Sequence, residues 1–324
     1  DKQSAISGKL LTDEGQTQRN KPKIALNSTN PTNPTHPINA MNPKNAVINI
    51  SVRDLVDRCV RAGDLTSGVF IPDRATAAIA LPQRIQHSRP EANEPEVVLS
   101  HTCTSGPWSI HMSGRIDGIF RYADRMVLEE IKTTIRNPKD SGDADNPHHW
   151  AQLKLYAYML SVEYDLESVD TCLTYARLHS DATWEIQRTF SRTDLEAFFS
   201  PLISRLVQRT EGIQHFQTLR DQSIGSLRFP FKECRRGQQR MMEEVYQVIV
   251  DGDQLFVQAP TGIGKTMAVI LPALKTLSQG NVDRMFYLTA RSTGKQVAEE
   301  AFGILLDQGL RLKTVTLTAK EKIC

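Results

Sequence analysis

Hydrophobic and polar positions divide the chain into a polar beginning and two regions with regular apolar spacing. Residues 1–45 are rich in Asn, Thr, Pro, Lys and Gln and include a low-complexity run at 30–37. Such a segment has too little apolar surface to offset the entropy of ordering. We therefore predict a disordered tail over residues 1–45.

The next region, residues 46–210, is predicted to form one domain of helices and strands. Ser51 is placed to cap a short helix whose apolar residues recur every three or four positions, and Gly63 is placed to end it. The other predicted elements are a helix from about 74 to 86, strands near 97–100, 108–120 and 126–133, a helix near 149–162, strands near 168–177 and 183–190, and a helix near 193–209. A polar stretch at 211–225 is predicted to be an interdomain linker.

The last region, residues 226–324, alternates strand and helix patterns. A helix with Met241 and Val245 on one face is predicted to end at Gly252. Strands are predicted at 255–257, 285–288 and 314–317, with helices after the first strand and around 295–306. This alternation is typical of a parallel sheet covered on both faces. Pro272 is expected to kink or break the helix after the first strand.

A glycine-containing loop joins the strand at 255–257 to the helix that follows. Glycines allow the backbone N–H groups to point at phosphate oxygens, and the helix N-terminus adds partial positive charge there. Lys265 can reach the β- and γ-phosphates of ATP, and the Thr266 hydroxyl can hold Mg²⁺. The strand–loop–helix context therefore predicts a nucleotide site. Its residues are Ala259, Pro260, Thr261, Gly262, Ile263, Gly264, Lys265 and Thr266.

A second group of chemically capable residues lies on two predicted neighbouring strands. Strand alternation turns Glu130 and Lys132 to one face and Glu129 to the other, where substitution should be nearly silent for the chemistry of this site. The carboxylates of Asp117 and Glu130 and the Ile131 carbonyl would offer the hard oxygens that Mg²⁺ or Mn²⁺ prefers. Lys132 could then place or polarise a nucleophile. Alternating charges also occur on solvated strand faces, so this triplet alone does not decide between the two interpretations.

Composition constrains these hypotheses only loosely. The formal net charge is +2, so nucleic-acid binding cannot be argued from bulk charge and would need a local basic surface. No apolar run approaches the ~18–20 residues of a membrane span, and no membrane partner is expected. Five widely spaced cysteines predict reduced thiols and a cytoplasmic location. His148 and His149 are predicted to be surface residues.

The order of elements in residues 46–210 resembles the PD-(D/E)XK nuclease fold. Gln152 and Tyr156, one helical turn apart, match the Gln-x-x-x-Tyr motif of its RecB-like branch. The resemblance implies metal-dependent DNA cleavage by Asp117, Glu130 and Lys132 with Gln152 and Tyr156. RecB-like nucleases often carry a metal-binding His before the first strand. Here His87 is displaced from that position, and Glu96 is an alternative ligand.

Residues 226–324 resemble the start of a superfamily 2 helicase of the DinG/XPD-like type. The loop ending in Lys265-Thr266 is similar to the first helicase motif, and Tyr287 to Ser292 resembles the next motif, which touches the single strand. The segments at 229–231 and 235–238 look like the adenine-recognition segment, which implies that Arg236 and Gln238 bind ATP. In that family, a cysteine placed like Cys324 is the first of four ligands of a [4Fe–4S] cluster.

The predicted fold class is therefore α/β, with a PD-(D/E)XK nuclease-like mixed sheet followed by the first part of a RecA-like P-loop helicase domain. The two resemblances imply an ATP-dependent DNA helicase carrying a nuclease domain, acting on single-stranded or branched DNA in repair or processing. We expect the chain to be an incomplete fragment that does not work alone as a helicase. The alternative is a nucleotide-binding module whose nuclease-like domain is an inactive DNA-binding scaffold.

Overall fold

A computed structural model describes residues 9–11, 46–60, 81–86, 88–90, 93–123, 125–135, 137–178, 180–290 and 292–318. The chain forms two compact units, residues 40–212 and residues 1–39 with 213–324. Most of the predicted tail, together with His87, Arg291 and Cys324, lies outside the described residues. Within the tail, residues 9–11 form a short strand that the sequence did not predict.

Eight strands and seven labelled helices are assigned among the described residues, with a 3₁₀ turn at Asp143–Asp145 and a helical turn at residues 81–86. The strands are β1 (Lys9–Leu11), β2 (Ala46–Ser51), β3 (Asn93–Ser105), β4 (Trp108–Arg121), β5 (Met126–Thr134), β6 (Ser168–Arg177), β7 (Thr183–Ser191) and β8 (Leu255–Val257). The helices are α1 (Val52–Cys59), α2 (Pro138–Ser141), α3 (Pro147–Glu163), α4 (Arg192–Ser226), α5 (Gln238–Asp251), α6 (Lys265–Ser278) and α7 (Ser292–Asp307).

The unit of residues 40–212 is built on a six-stranded mixed sheet, in the order β2-β4-β5-β6-β7 with β3 also paired to β4. Strand β4 is shared: β3 pairs with it along its length, while β2 pairs with residues 108–113 and β5 with residues 118–121. Asp117 therefore lies at the point where the partner of β4 changes from β2 to β5. Strands β5 and β6 are parallel, so the chain must cross over the sheet between them. Helix α3 forms this crossover connection.

Helix α3 is the central element of this unit's core. It buries residues around most of its circumference, including Leu153, Leu155 and Leu160, each fully buried. Burial of each leucine contributes roughly 1.5–3 kcal/mol. Its continuous apolar character follows from contact with the sheet on one side and with α1 on another.

The predicted linker is helical. Helix α4 continues through residues 211–225, and the boundary between the two compact units falls inside it, between Gly212 and Ile213. The segment is polar because much of a long helix is exposed, and not because it is irregular. Glu211 accepts a hydrogen bond from the Trp108 indole within its unit, and Ile224 is fully buried within the other.

In the unit that contains residues 213–324, helix α6 follows the strand β8 and is buried along most of its length. Pro272 lies inside α6, which nevertheless runs unbroken from Lys265 to Ser278, so the predicted break is wrong. Packing of Leu271 and Leu274 against neighbouring apolar residues holds the helix despite the missing hydrogen bond. Helix α5 ends at Gly252 in the left-handed conformation, as its sequence predicted.

The predicted strands at 285–288 and 314–317 are not strands among the described residues. Their backbone has no assigned ladder, and Phe286, Leu288, Val315 and Leu317 are 75%, 88%, 82% and 85% exposed. The described sheet of this unit has two strands, β1 and β8, paired in parallel. An apolar pattern becomes a strand only when a neighbour supplies the ladder, and the pattern alone does not specify that neighbour.

Candidate functional site

Three polar side chains from β5 and α3 form a hydrogen-bonded cluster. The Lys132 ammonium donates to Glu130 Oε1 over 2.6 Å and to Gln152 Oε1 over 2.9 Å. Gln152 Nε2 donates to the same Glu130 oxygen over 2.6 Å. Strand alternation brings Glu130 and Lys132 to one face, and the crossing of α3 over that face brings Gln152 to them. The structure thus places together three of the residues named from the sequence.

The second carboxylate oxygen of Glu130 has no hydrogen-bond partner among the residues that the structure describes. Glu130 is 3% exposed, and its Oε2 is a buried atom without a hydrogen bond. Burial raises the pKa of Glu130 to about 7, against the lowering effect of Lys132, and the negative charge of Asp117 raises it further. An unpaired buried carboxylate oxygen is costly unless a cation or a donor occupies the space beside it.

Asp117 is held beside this cluster by contacts from two directions. Its Oδ2 accepts a hydrogen bond of 2.7 Å from the backbone N–H of Ile131. Gln86 donates to the Asp117 carbonyl over 3.0 Å and reaches its Oδ1 at 3.5 Å. Burial raises the pKa of Asp117, and the hydrogen bond from Ile131 and the charge of Lys132 act in the opposite direction. These contacts fix the carboxylate near Glu130.

Gln86 is a site residue that the sequence did not identify. It is 8% exposed and lies at the end of the helical turn of residues 81–86, before β3. The nuclease resemblance predicts a histidine near this position, and His87 lies outside the described residues. The signal that could have identified Gln86 is its place as a polar residue on the helix before β3. Glu96, the alternative ligand from the sequence, instead pairs with Arg115 at 3.4 Å.

Tyr156 approaches the backbone of β4 where a glycine makes room for it. Its hydroxyl donates to the Arg115 carbonyl over 3.1 Å, and burial raises its pKa. A Cβ atom at Gly114 would lie 2.6 Å from the Tyr156 Oη. Gly114 is therefore needed for the packing of Tyr156, which positions the strand that carries Asp117.

Glu129 faces the opposite side of the sheet, but that side is not solvated here. Glu129 is 0% exposed and accepts hydrogen bonds from the Arg89 guanidinium and from Thr174 Oγ1, the latter over 2.5 Å. Arg89 also contacts Glu185 at 2.8 Å. The prediction that Glu129 takes no part in the chemistry of the opposite face stays a prediction, but Glu129→Ala should lower the stability of the fold, because it removes the buried partner of Arg89.

The described residues include no group of three His, Cys, Asp or Glu side chains that could hold a metal ion. What they offer is a pair of carboxylates, Asp117 and Glu130, with the backbone of Ile131 beside them. Mg²⁺ commonly uses one or two protein carboxylates and takes its remaining oxygens from water and phosphate. The unpaired Glu130 oxygen fits such an ion.

The glycine loop has the shape expected of a phosphate-binding loop. Gly262 and Gly264 have φ of 87° and 81°, and Gly264 is the N-cap of α6. Lys265 Nζ donates to the carbonyls of Ala259 and Pro260, over 3.0 and 2.7 Å. The Lys265 side chain thus lies across the loop and is hydrogen-bonded to two carbonyl groups of the loop backbone. Thr266 follows in the first turn of α6 and is half-buried.

Gln238 braces the loop from α5. It is 2% exposed, donates to the Gly264 carbonyl over 3.1 Å, and accepts from the Arg235 backbone N–H over 3.1 Å. A Cβ atom at Gly264 would lie 2.3 Å from the Gln238 amide nitrogen, so the close contact requires glycine. The Arg235 guanidinium donates to the Gly262 carbonyl, whereas Arg236, named from the sequence, is exposed. Arg235 is thus a loop contact that the sequence analysis missed.

Of the remaining predicted site residues, Cys324 lies outside the described part of the chain. The other four cysteines, Cys59, Cys103, Cys172 and Cys234, are free thiols. Among the described residues, no helix is both long enough and apolar enough to cross a membrane.

Comparison with known proteins finds similarity within residues 235–322. Residues 235–322 match the family described as DEAD/DEAH box helicase. A 47-residue segment, 14% of this chain, is 45% identical to the protein named "Probable ATP-dependent helicase MJ0942" from Methanocaldococcus jannaschii, of which it covers 7%. Both similarities are to helicases, and both are confined to part of this chain; the matched segment spans a small part of the curated relative's length.

Among solved structures, one titled "Crystal structure of SSO0001" aligns with 48% of this chain and 75% of its own, at 24% identity and a TM-score of 0.33. A TM-score of 0.33 does not establish a shared fold.

Proposed function

We propose that the chain is part of an ATP-dependent DNA helicase of the DinG/XPD-like type that carries a metal-dependent DNA nuclease in residues 46–210 and the start of its motor in residues 226–324. The helicase assignment is supported by the family match over residues 235–322 and by the loop of Lys265. The nuclease rests on one observation: a buried glutamate, Glu130, with an unpaired oxygen, hydrogen-bonded to Lys132 and adjacent to Asp117.

In the nuclease, Asp117 and Glu130 would hold the Mg²⁺ or Mn²⁺ ion, with the Ile131 carbonyl as a third oxygen. When bound, the ion would neutralise a scissile phosphate and lower the pKa of a coordinated water. Lys132 would place positive charge beside the phosphate. Gln152 holds the Lys132 side chain by accepting a hydrogen bond from its ammonium group. Tyr156 fixes α3 against β4 through the Arg115 carbonyl. A buried site strengthens each of these electrostatic contacts.

In the motor, the backbone of residues 259–264 would cradle the phosphates of ATP. Lys265 would contact the β- and γ-phosphates, and Thr266 would hold Mg²⁺. Gln238 would meet the adenine while it keeps the loop in place, and exposed Arg236 would assist it. Cys324 would supply one ligand of a [4Fe–4S] cluster. The partners of the protein would be ATP and single-stranded or branched DNA. The protein would act in DNA repair or DNA processing.

The nuclease is tested with the 324-residue chain, labelled single-stranded and flapped DNA, and Mg²⁺ or Mn²⁺ without ATP. We expect the wild type to cut and both Asp117→Ala and Lys132→Ala to be inactive. Lys132→Ala should bind metal nearly as well as wild type, because lysine is not a metal ligand. Lys265→Ala, in the other unit, is the matched control and should cut normally.

A second candidate function is a nucleotide-binding module with an inactive nuclease-like scaffold. It is favoured by the absence, among the described residues, of three side-chain metal ligands in one group. In that case the chain would bind DNA and cut it with neither metal. Binding without cleavage would establish the scaffold, and cleavage that Asp117→Ala abolishes would exclude it.

A further inference from the structure

Helix α3 opens with two adjacent histidines that have different surroundings. His148 Nε2 pairs with Asp57 of α1 at 2.6 Å. His149 turns toward the sheet, where its Nδ1 is 2.8 Å from the Tyr175 hydroxyl. His149 therefore departs from the surface position that the sequence predicted, whereas His148 keeps a partly exposed contact with Asp57.

The position of His149 relates it to the candidate nuclease site. It precedes Gln152 by three residues, so the two share a face of α3. Tyr175 on β6 is the register partner of Lys132 on β5, and neighbouring residues of paired strands project to the same face. His149 is thus bound to the residue beside Lys132, on the face of the sheet that carries Glu130.

The hydrogen bonds around Tyr175 fix which nitrogen of His149 carries the proton. Tyr175 has one hydroxyl proton, and it donates that proton to the Asp143 carbonyl, which can only accept. Burial raises the pKa of Tyr175, so the hydroxyl keeps its proton. In the contact with His149, the tyrosine oxygen must therefore accept, and Nδ1 must be the donor. The Nε2 nitrogen of a neutral His149 is consequently left with a bare lone pair.

His149 stays neutral in these surroundings. Burial lowers its pKa to about 4, and the charge of Lys132 and the neighbouring His148 lower it further, against a raising effect of Asp143. Its Nε2 has no hydrogen-bond partner in the part of the chain that the structure describes. The same holds for one of the three N–H groups of Lys132, since the other two go to Glu130 and Gln152.

A free acceptor on His149 and a free donor on Lys132 are the two contacts that orient a water molecule. We propose that His149 is a positioning residue of the nuclease site, whose Nε2 accepts a hydrogen bond from the water that attacks the phosphodiester. Lys132 donates to the oxygen of that water, which leaves a lone pair free to attack phosphorus. The new bond joins the water oxygen to phosphorus, the P–O ester bond breaks, and the leaving oxygen takes a proton from solvent, which also receives the proton lost by the water.

This role rests on the proposed nuclease function, but the tautomer can be measured without it. In ¹⁵N-histidine-labelled chain, long-range ¹H–¹⁵N spectra distinguish Nδ1–H from Nε2–H imidazoles. We expect His149 to be the Nδ1–H tautomer in the wild type and a mixture in Tyr175→Phe, which removes the acceptor. His149→Asn identifies the resonances. A wild-type Nε2–H tautomer would overturn the proposal, because the lone pair would then face Tyr175.

Cleavage rates with Mn²⁺ test the role itself. His149→Asn keeps an N–H near Tyr175 but loses Nε2, and it should lower kcat roughly 10- to 100-fold, as loss of outer-shell partners at metal sites does. The metal concentration for half-maximal rate should not change. His149→Gln, with an amide oxygen near the Nε2 position, should recover part of the rate. His148→Asn is the matched control and should cut like the wild type.

The outcomes separate the two proposals. If the wild type cuts and His149→Asn cuts equally fast, only the role of His149 fails. If both histidine variants lose rate to the same extent, the effect is structural and the positioning role fails. If the wild type cuts with neither metal, the nuclease function fails and the hydrolytic role of His149 fails with it, whatever tautomer is found.

Discussion

At the scale of single residues, the two faces of strand β5 differ in what their carboxylates contact. Glu130 pairs with Lys132 and Gln152 and keeps one unpaired oxygen, while Glu129 is fully enclosed by Arg89 and Thr174. A buried carboxylate with complete partners stabilises its surroundings, whereas an incomplete one is costly without a ligand. The two neighbours should therefore respond to substitution in opposite ways.

Glu130→Gln should stabilise the metal-free chain at alkaline pH. Folding raises the pKa of Glu130 from 4.5 to about 7, so the folded chain binds a proton that the unfolded chain releases. The stability that this proton contributes is complete below pH 4.5 and is lost as the pH rises through 7. Denaturant unfolding should show the variant more stable by roughly 1–3 kcal/mol at high pH and equal to the wild type in acid.

The control for this experiment is Glu163→Gln, at an exposed carboxylate in the same unit. It should follow the wild type at every pH. Saturating Mg²⁺ should restore stability to the wild type and not to Glu130→Gln. If the free energies of unfolding of Glu130→Gln and the wild type change with pH in parallel, folding does not raise the pKa of Glu130 and the prediction is wrong.

Glu129→Ala should destabilise the chain strongly. It removes the buried partner of the Arg89 guanidinium, which keeps only the partly exposed Glu185, and breaking a buried ion pair typically costs about 3–5 kcal/mol. Glu94→Ala is the matched control, because Glu94 pairs with Arg121 at 2.8 Å on the exposed surface and should cost less than about 1 kcal/mol. Thermal unfolding measures both. Equal midpoints for the two variants would contradict the enclosed Arg89–Glu129 pair.

At the scale of elements, the sequence predicted those whose apolar pattern is decided by local burial. Strands β4 to β7 and helix α3 were found within a few residues, because each buries a face or a continuous run. The extension of α4 was missed because an exposed helix is as polar as a linker. The contact of Gln86 with Asp117 was missed because it joins residues 31 positions apart, and no spacing rule reaches that far.

Helix α4 provides a direct test of the difference between a linker and a helix. Gln217→Pro should open residues 211–225 to trypsin, because proline in a helix interior costs about 3 kcal/mol and removes a backbone hydrogen bond. Gln217→Ala should leave the segment as resistant as in the wild type. The cleavage sites are read by mass spectrometry of the fragments. Rapid cutting of the wild type within 211–225 would show that the helix does not persist in solution.

At the scale of the whole molecule, two chemical sites lie in two compact units with separate cores. The carboxylates of Asp117 and Glu130 belong to residues 40–212, and the phosphate loop of Lys265 belongs to the other unit. The main core of the first unit is formed by buried residues between Ala46 and Leu206. The buried residues of α6 belong to other apolar clusters, within the second unit. The contacts that shape each site come from within its own unit.

This separation predicts that the two proposed activities can be removed one at a time. Lys265→Ala should remove most of the ATP binding, because it takes away the positive charge expected beside the β- and γ-phosphates, and should leave metal-dependent cleavage unchanged. Asp117→Ala should abolish cleavage and leave the affinity for a fluorescent ATP analogue within twofold of the wild type. Both are measured on the same preparations. Cleavage that fails in Lys265→Ala would mean that the nuclease depends on the phosphate loop, and the independence inferred from the two cores would be wrong.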